Sequence, residues 1–471
     1  MKKSIFLILL LTLSIGSVSV FASSVYKEHN NVTFEETVLY GDSSVMDGLN
    51  ISINTHYLEN VYWNTSLHFG ESIKSDTQYR FYPLRQTYDY PTPHEGLVMN
   101  TVSDYPFTTS GDNKGIARAY YNLFHSLEPG EEKEQSIYLK DYMDYYDFEV
   151  FFDFPNADSW HYRISEAASS DYSVDYYLPH NDDLLNLREY FKIPVLEEET
   201  HTFSLSKDFS GHLTHIGGGT TQSDYFNLDL KSIMTEDTCY FTFNPYSFEG
   251  KAIDTSLLPE GFGVFALPYD ANSKYEDVVK SELLSMVYPI DTNVKVFDLQ
   301  INEDQTILFL YTIEDNQMVL SIIEIATMKT IQKQVIADLS EGNALSIAYN
   351  DNVILITNRS NNTLSIFAET EKKEYQLEFA CTFDPEDDFF SRTYYAPQFD
   401  YNGERLVLAC VKQYWQQSRA GFCNFFVSVY TKDGLQYIGE YENSLDSGID
   451  NEIYDYPTRT DHHDAFEISW Q

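Results

Sequence analysis

Histidines with a spacing that can bind a metal ion occur in two short stretches of the chain. One is His212-x-x-His215, which precedes Gly217-Gly-Gly219, and the other is Asp461-His-His-Asp464 near the C-terminus. A zinc-protease helix also needs a glutamate base, and a phosphate-binding loop needs a lysine, and neither stretch has these partners. We therefore interpret the first stretch as a polar loop and the second as a solvated terminal segment.

Clusters of carboxylates are the commonest chemical feature of the sequence. One cluster is Asp384-Pro-Glu-Asp-Asp388, and calcium ions are held by oxygen ligands at this kind of density. None of the clusters matches the Asp-x-Asp-x-Asp-Gly pattern of a calcium-binding loop. Asp384, Glu386, Asp387 and Asp388 are therefore candidate calcium ligands, and a solvated acidic surface is the alternative interpretation.

Catalytic residues cannot be assigned from motifs. The sequence has no Gly-x-Ser-x-Gly, no Ser-x-x-Lys with its partner motifs, and no cysteine near a histidine. Glycan cleavage needs only two suitably placed carboxylates, and the chain has 73 acidic residues. A glycan hydrolase or lyase therefore stays open as an alternative to a binding protein.

Aromatic residues crowd one Asp-rich region. Aromatic faces surrounded by carboxylates commonly hold carbohydrates or cationic peptides, although tyrosine is also simply a good strand residue. This pattern allows a protein, peptide or glycan ligand. The residues are Tyr138, Tyr142, Tyr145, Tyr146, Trp160, Tyr172, Tyr176 and Tyr177.

Composition excludes several functional classes for this chain of 471 residues. It carries 30 basic and 73 acidic residues, a formal net charge of −43. Nucleic acid and anionic membranes would repel such a protein, so neither is expected as its main partner. Global disorder is not expected either, because the chain contains 38 Tyr and 32 Phe.

The N-terminus has the pattern of an export signal. Lys2 and Lys3 precede an apolar run from Ile5 to Ile15, and a small-residue cleavage site follows at Ala22. We therefore predict a signal peptide over residues 1–22 and a secreted or extracytoplasmic protein, with an uncleaved N-terminal anchor as the alternative. No later stretch approaches the length of a membrane span.

Four cysteines are too few for a disulfide-built scaffold. Two of them, Cys410 and Cys423, end strand-like runs on either side of a polar loop. A hairpin that paired Leu406 with Val427 would place the two thiols opposite each other. The sequence is equally consistent with a Cys410–Cys423 disulfide and with two buried free thiols.

A repeated four-strand unit covers residues 296–438. Three stretches each contain an apolar strand, a polar turn and three further strands, and their first turns contain Asn302, Asn350 and Asn402. A four-strand period of about fifty residues is typical of β-propeller blades. Such a blade cannot cover its own apolar faces, so neighbouring blades must cover them.

One of these turns also carries a family resemblance. The segment Phe399-Asp-Tyr-Asn-Gly-Glu-Arg-Leu-Val-Leu408 resembles the blade motif of WD40-like propellers, an apolar residue and an acidic residue followed by Asn-Gly and a second strand. The resemblance covers this segment alone. It implies a propeller fold for the C-terminal region and assigns no functional residue.

The region before residue 200 is β-rich without this period. Alternation over Leu49–Thr55 and Val61–Leu67 predicts a hairpin, and Ala119–Phe124 with Gln135–Leu139 predicts another. Farther on, the apolar spacing of Tyr275–Met286 favours a short surface helix or a connector between blades.

The predicted organisation is all-β, with a signal peptide (1–22), a β-rich, sandwich-like N-terminal domain (23–199) and a C-terminal β-propeller (200–471). Extra propeller blades formed by N-terminal strands are the open alternative to a sandwich. Phe466, Ile468 and Trp470 alternate in the manner of a closing strand. We expect a binding module; a glycan hydrolase or lyase and a structural surface protein without a ligand are the alternatives.

Overall fold

The computed structural model is all-β, with one α-helix in the part of the chain described after residue 30. The described residues are 14–21, 23–24, 26–27, 30–57, 61–70, 72–81, 96–101, 109, 113, 115–145, 148–153, 194–195, 197, 200–221, 229–244, 261–269, 283–340, 342, 344–350, 352–384, 397–411, 424–444 and 466–470. Residues 14–21, inside the predicted leader, are helical and exposed. Within these ranges we find no helix with the length and apolar character needed to cross a membrane.

Contacts divide the chain into two compact units, residues 1–91 with 339–471, and residues 92–338. Within its described residues, the first unit contains thirteen strands, taken from both ends of the chain. These are β1 (Phe34–Gly41), β2 (Leu49–Tyr57), β3 (Val61–His68), β4 (Lys74–Phe81), β18 (Leu345–Asn350), β19 (Val353–Asn358), β20 (Thr363–Glu369), β21 (Tyr375–Thr382), β22 (Gln398–Tyr401), β23 (Leu406–Val411), β24 (Phe425–Thr431), β25 (Gly434–Asn443) and β26 (Phe466–Trp470), with a short 3-10 helix at Ser43–Met46.

The second unit contains the helix and the remaining strands. These are β5 (Gly96–Thr101), α1 (Gly115–Ser126), β6 (Glu132–Tyr138), β7 (Phe148–Asp153), β8 (Thr200–Lys207), β9 (Leu213–Thr221), β10 (Lys231–Met234), β11 (Thr238–Thr242), β12 (Gly263–Pro268), β13 (Ser285–Pro289), β14 (Lys295–Ile301), β15 (Ile307–Glu314), β16 (Gln317–Glu324) and β17 (Lys329–Asp338), with a 3-10 helix at Leu139–Asp141.

Strands of the second unit form antiparallel sheets. Two sheets have four strands in chain order, β10-β11-β12-β13 and β14-β15-β16-β17, and two smaller sheets have the orders β5-β7 and β6-β8-β9. The boundary predicted between residues 199 and 200 falls inside this unit, at the start of β8, which pairs with β6 on one side and β9 on the other.

Strands of the first unit come from both ends of the chain. One sheet has the chain order β18-β19-β20-β21, whereas the other two have the orders β1-β25-β24-β23-β22 and β26-β2-β3-β4. The N-terminal β1 thus pairs with β25, and the C-terminal β26 pairs with β2. The pattern at Phe466, Ile468 and Trp470 is therefore a strand, and it completes the sheet of the predicted N-terminal hairpin.

Turn chemistry explains why the repeated units fold as predicted. The side-chain oxygen of Asn302 accepts hydrogen bonds from the backbone N–H groups of Thr306 and Ile307, each at 2.8 Å. Asn402 caps its own turn in the same way through the N–H groups of Glu404 and Arg405. These two amide-capped turns fix where the first strand of the first and third repeats ends and the second strand begins.

One local prediction was wrong. Residues Gly115–Ser126 form helix α1, not a hairpin strand paired with Gln135–Leu139. Its buried residues Ile116, Tyr120, Leu123 and Phe124 recur at three- and four-residue spacing, the period of a helix face that packs on a core. The segment Tyr275–Met286, predicted as a short surface helix or a connector between blades, stays a prediction up to residue 282, because residues 270–282 lie outside the described ranges; its last two residues begin strand β13.

Candidate functional site

A cavity of about 410 Å³ lies in the first unit, beside the sheet β26-β2-β3-β4. This volume is within the range of small-ligand sites in proteins. Polar side chains dominate its lining. The lining residues are Asn50, Ile51, Ser52, Ser66, Leu67, His68, Asn350, Asp400, Glu467, Ile468 and Ser469.

Strand alternation produces this polar wall. Side chains of a strand point alternately to opposite faces, so Ile51, Leu67 and Ile468 lie on one face and pack into an apolar core. The residues between them point to the opposite face and line the cavity. The sequence Leu49-Asn-Ile-Ser-Ile53 therefore builds the core and the pocket at once.

Strand register brings three polar residues into one row across the sheet. Ser52 on β2 is directly opposite Glu467 on β26 and, on its other side, directly opposite Ser66 on β3. Residues opposite each other in an antiparallel pair have Cβ atoms roughly 5 Å apart. Glu467, Ser52 and Ser66 thus form a continuous line of oxygen atoms along the cavity wall, which we call the pocket row.

A second row runs parallel to the first. Asn50 is opposite Ser469 and His68. The Nδ1 atom of His68 lies 2.5 Å from Oδ1 of Asn50. Because an amide oxygen can only accept, Nδ1–H of His68 is the donor, and a neutral His68 keeps Nε2 as an acceptor.

The remaining two polar lining residues are used to hold strands together. The Asp400 carboxylate accepts the backbone N–H of Tyr401 at 2.8 Å and, through its other oxygen, the N–H of Trp470 at 2.7 Å. Asn350 donates its Nδ2–H to the Phe399 carbonyl at 2.9 Å. Asp400 therefore fixes β26 beside β22, and its charge is engaged on both oxygens.

Four lining side chains have no bonding partner within the described part of the protein. Within the described ranges, Ser52, Ser66, Glu467 and Ser469 have no side-chain hydrogen bond or ion pair. The two serines on β2 and β3 are half-buried, whereas Glu467 and Ser469 are exposed. The pocket therefore offers hydroxyl and carboxylate oxygens that are available to a ligand.

Among the candidate calcium ligands, the described residue Asp384 does not line this pocket. Asp384 follows the end of β21, and Glu386, Asp387 and Asp388 lie outside the described residues. In the part of the chain that the structure describes, no group of three or more His, Cys, Asp or Glu residues is placed to hold a metal ion. Calcium binding by the Asp384–Asp388 segment stays a prediction.

The register predicted for the cysteine hairpin was wrong. Strands β23 and β24 do pair, but Cys410 is opposite Phe426, and Leu406 is opposite Tyr430 rather than Val427. Cys410 is buried, and burial raises the pKa of its thiol to about 12. Cys423 lies outside the described residues, so its pairing with Cys410 stays a prediction.

The His212-x-x-His215 stretch is not the polar loop we predicted. His215 and Gly217 both lie in strand β9, opposite Ser206 and Ser204 of β8. His212 precedes the strand, and its Nδ1 atom is 3.5 Å from an oxygen of Asp208. Backbone hydrogen bonds from His212 and Ser210 lower the pKa of Asp208. This arrangement closes the β8–β9 turn.

Two other predicted regions are only partly described. Residues 461–464 lie outside the described ranges, next to β26. In the aromatic region, Tyr138 and Tyr145 are exposed, whereas Tyr142 packs against the core of the second unit. The remaining members of that region lie outside the described residues, namely Tyr146, Trp160, Tyr172, Tyr176 and Tyr177.

No residue of the pocket row was among the functional residues predicted from the sequence. Alternation at Leu49–Thr55 predicted the strand, and it also marked one of its faces as polar. The local pattern did not show which strand pairs with β2, because its partner β26, residues 466–470, is far away in the sequence. A polar face on a strand beside a closing C-terminal strand was the signal that could have located the site.

Comparison with known proteins gives no family. No family model matches the chain, and no curated protein matches it. Among solved structures, the chain is similar to one in the mitotic checkpoint complex (10% identity, TM-score 0.24, 44% of this chain and 48% of that chain), so it spans about half the length of that protein.

Two further structures cover more of their own length. One is the Cps50 (Swd1) β-propeller domain of Myceliophteria thermophila, at 10% identity and a TM-score of 0.23, covering 51% of this chain and 82% of that one. The other is Hsv2 of Kluyveromyces lactis, at 7% identity and a TM-score of 0.24, covering 54% of this chain and 82% of that one. TM-scores this low carry no argument about fold or function.

Proposed function

We propose that this protein is an exported, acidic β-propeller that acts as a binding module and holds its ligand in the pocket beside β26, β2 and β3. The observation that carries the proposal is the set of four polar side chains, Ser52, Ser66, Glu467 and Ser469, that line one cavity without partners of their own. Oxygen atoms that converge on a cavity in this way are typical of a ligand site.

The propeller part of the proposal is supported by sheet order and by the chain ends. Four-stranded antiparallel sheets in chain order recur, as expected of blades. Pairing of β26 with β2 and of β1 with β25 joins the two ends of the chain. In these pairings β1 covers the edge of β25, and β26 covers the edge of β2. The predicted N-terminal hairpin then belongs to a blade rather than to a separate sandwich.

The binding role is better supported than glycan cleavage. Hydrolysis of a glycosidic bond needs two carboxyl groups free to act as acid and as base or nucleophile. Two carboxylates line the pocket, but Asp400 accepts backbone N–H groups with both of its oxygens. Only Glu467 remains available. The geometry therefore favours binding over a two-carboxylate reaction.

Export is a separate part of the proposal and rests on the leader. The charged residues Lys2 and Lys3, the apolar run and the site after Ala22 motivate it. When the full chain is expressed with its own leader in a bacterial host, mass spectrometry of the protein outside the cytoplasm should find Ser23 at the N-terminus. Recovery of the intact chain from the cytoplasm alone would contradict export.

The binding role is tested with a blocked pocket and a matched control. Ser66→Tyr places a bulky side chain in the cavity, whereas Asn64→Tyr places the same group on the same strand and face outside the lining. Peptides, amines and sugars are screened by thermal melting, because a ligand of the folded state raises Tm by mass action. We expect at least one probe class to stabilise the wild type and Asn64→Tyr but not Ser66→Tyr.

The screen can also contradict the proposal. If every probe that raises Tm acts equally on Ser66→Tyr, ligands bind elsewhere. If no probe class raises Tm of the wild type, the pocket has no ligand among them, and a structural surface protein becomes the better interpretation.

A further inference from the structure

We infer that the pocket binds a primary ammonium group, supplied by a lysine side chain of a polypeptide or by a small polyamine. The inference rests on the proposed binding function and names the chemical class of its ligand. Three independent properties of the pocket support it: the charge of its lining, the balance of donors and acceptors, and the arrangement of the pocket row.

The lining carries negative charge and no fixed positive charge. Glu467 and Asp400 are its acidic residues, and it contains no Lys or Arg. An anionic ligand would meet carboxylates without a counter-charge. The chain as a whole has a formal net charge of −43, so its long-range field attracts cations and repels anions.

Acceptor atoms remain on the lining after its internal hydrogen bonds are made. Asn350 uses its amide N–H on the Phe399 carbonyl, and His68 uses its Nδ1–H on Asn50. The atoms that remain include the Glu467 carboxylate, the serine hydroxyl oxygens and, in neutral His68, Nε2. An ammonium group has three N–H donors and no acceptor, so it is the natural complement of such a surface.

The pocket row has the right arrangement for one such group. Ser52 stands between Glu467 and Ser66, and each neighbour lies directly across a strand pair. With Cβ atoms roughly 5 Å apart, oxygens of adjacent row members can converge on one nitrogen at about 2.8 Å. Glu467 then supplies the opposite charge, and the two hydroxyls accept the remaining N–H groups.

A molecular cation fits this row better than a metal ion. Calcium takes six to eight oxygen ligands and usually several carboxylates. Glu467 is the single carboxylate of the pocket whose oxygens are not both used by backbone N–H groups, and no group of metal-binding side chains is found in the described part of the chain. Two hydroxyls and one carboxylate match three N–H donors instead.

The inference is tested by calorimetric titration of the full chain. Nα-acetyl-lysine methylamide represents the lysine side chain, putrescine represents a polyamine, and the Nε-acetylated form of the lysine probe is the neutral control. We expect one site for an amine, at least tenfold weaker binding of the acetylated probe, and at least tenfold weaker binding of the amine by Glu467→Gln. The two amines distinguish the two sources of the group.

A matched charge control separates the pocket from the general acidity of the protein. Asp433 is exposed in the turn between β24 and β25, on another sheet of the same unit, and does not line the pocket. Asp433→Asn should change amine affinity by less than twofold. Ser52→Val, which keeps the charge and removes a row hydroxyl, should weaken binding by about threefold to tenfold, as expected for one lost hydrogen bond of about 1 kcal/mol.

Each remaining outcome overturns a defined part of the argument. Equal weakening by Glu467→Gln and Asp433→Asn would mean non-specific attraction and would overturn the ammonium site. The amine and its acetylated form could bind equally well to the wild type and both fail to bind to Ser66→Tyr. That outcome would overturn the assignment of an ammonium ligand but leave the proposed binding function intact. Absence of pocket-dependent binding for the amines, the acetylated probe and the sugars together would overturn both.

Discussion

The sheet β14-β15-β16-β17 and the sheet β26-β2-β3-β4 are both antiparallel and four-stranded, but they bury different surfaces. In β15, the five consecutive residues Ile307–Tyr311 are all buried, so both faces of that sheet are packed. In β2, Ile51 and Ile53 are buried while Ser52 between them is half-buried and polar. The sheet with β15 is packed on both faces, whereas the sheet with β2 has one apolar, packed face and one polar face.

This difference shows how a repeated architecture makes room for a site. A sheet covered on both faces needs a near-continuous apolar run, whereas a sheet covered on one face needs only alternate apolar residues. The alternate positions of β2, β3 and β26 are therefore free to carry serine, histidine and glutamate without loss of core. Function can vary on that face while the apolar face preserves the fold.

Truncation of adjacent residues should produce the largest contrast between the two sheets. Phe309→Ala and Leu310→Ala point to opposite faces of β15, and each should cost about 2–5 kcal/mol of unfolding free energy. In β3, Leu67→Ala should cost a similar amount, whereas Ser66→Ala should change stability by less than about 0.5 kcal/mol. Urea denaturation of the four variants measures this. A large loss from Ser66→Ala would mean that the polar face is packed.

The strands of the repeated sheets were predictable from the sequence, because their signals are local. Strands β14 to β25 were anticipated because their apolar runs are interrupted by turns with a defined chemistry. In the β15–β16 turn, for example, Asp315 and Asn316 have φ of 50° and 60°, the left-handed pair that a two-residue hairpin loop requires. Such signals are local, so they can be recognised without knowledge of the fold.

Contacts between distant segments were not predictable in this way. The β23–β24 register was misjudged because the stretch of sequence between the two strands, from residue 412 to residue 424, is too long to fix the pairing. The pocket depends on the pairing of residues 49–53 with residues 466–470, for which no local pattern gives the partner. Helix α1 was missed because its six residues Ala119–Phe124 were compared with a strand, whereas its full length shows the helical period.

The next largest loss of stability should follow from weakening the attachment of β26 to β22. Asp400→Ala removes the acceptor for the N–H groups of Tyr401 and Trp470, and leaving such groups unpaired costs about 1–3 kcal/mol. Asp400→Asn keeps one carbonyl acceptor, so its loss of stability should be smaller. Thermal melts measure the ranking, and hydrogen exchange at the Trp470 amide should accelerate in Asp400→Ala. Equal stability of wild type and Asp400→Ala would refute this role.

A buried polar cluster on β25 should contribute less to the free energy of unfolding than Asp400 does. The hydroxyls of Tyr437 and Tyr441 both donate to Glu36 on β1, at 2.6 Å and 3.0 Å. Burial raises the pKa of both tyrosines, so both remain protonated donors. Tyr437→Phe keeps the ring and removes one donor, with an expected cost of about 0.5–1.5 kcal/mol in urea denaturation. A stabilising Tyr437→Phe would show that the bond to Glu36 does not help to hold β1.

The smallest expected effect on stability comes from a buried histidine. His201 on β8 is buried, its Nε2 atom is 2.8 Å from the Tyr120 hydroxyl, and burial lowers its pKa. A folded-state pKa below the unfolded value of about 6.5 means that His201 adds stability above that pH and loses it as the pH falls. The slope from one such group is at most about 1.4 kcal/mol per pH unit.

His201→Phe isolates this contribution from the many carboxylates of the chain. The variant keeps an aromatic ring beside Phe203 and Tyr120 but has no group that titrates. Its destabilisation relative to wild type should therefore shrink as the pH is lowered from about 7.5 to 5, because only the wild type must protonate a buried ring on unfolding. Denaturation midpoints at four pH values measure this trend. A difference that is constant with pH would show that His201 has the same pKa in the folded and unfolded chain.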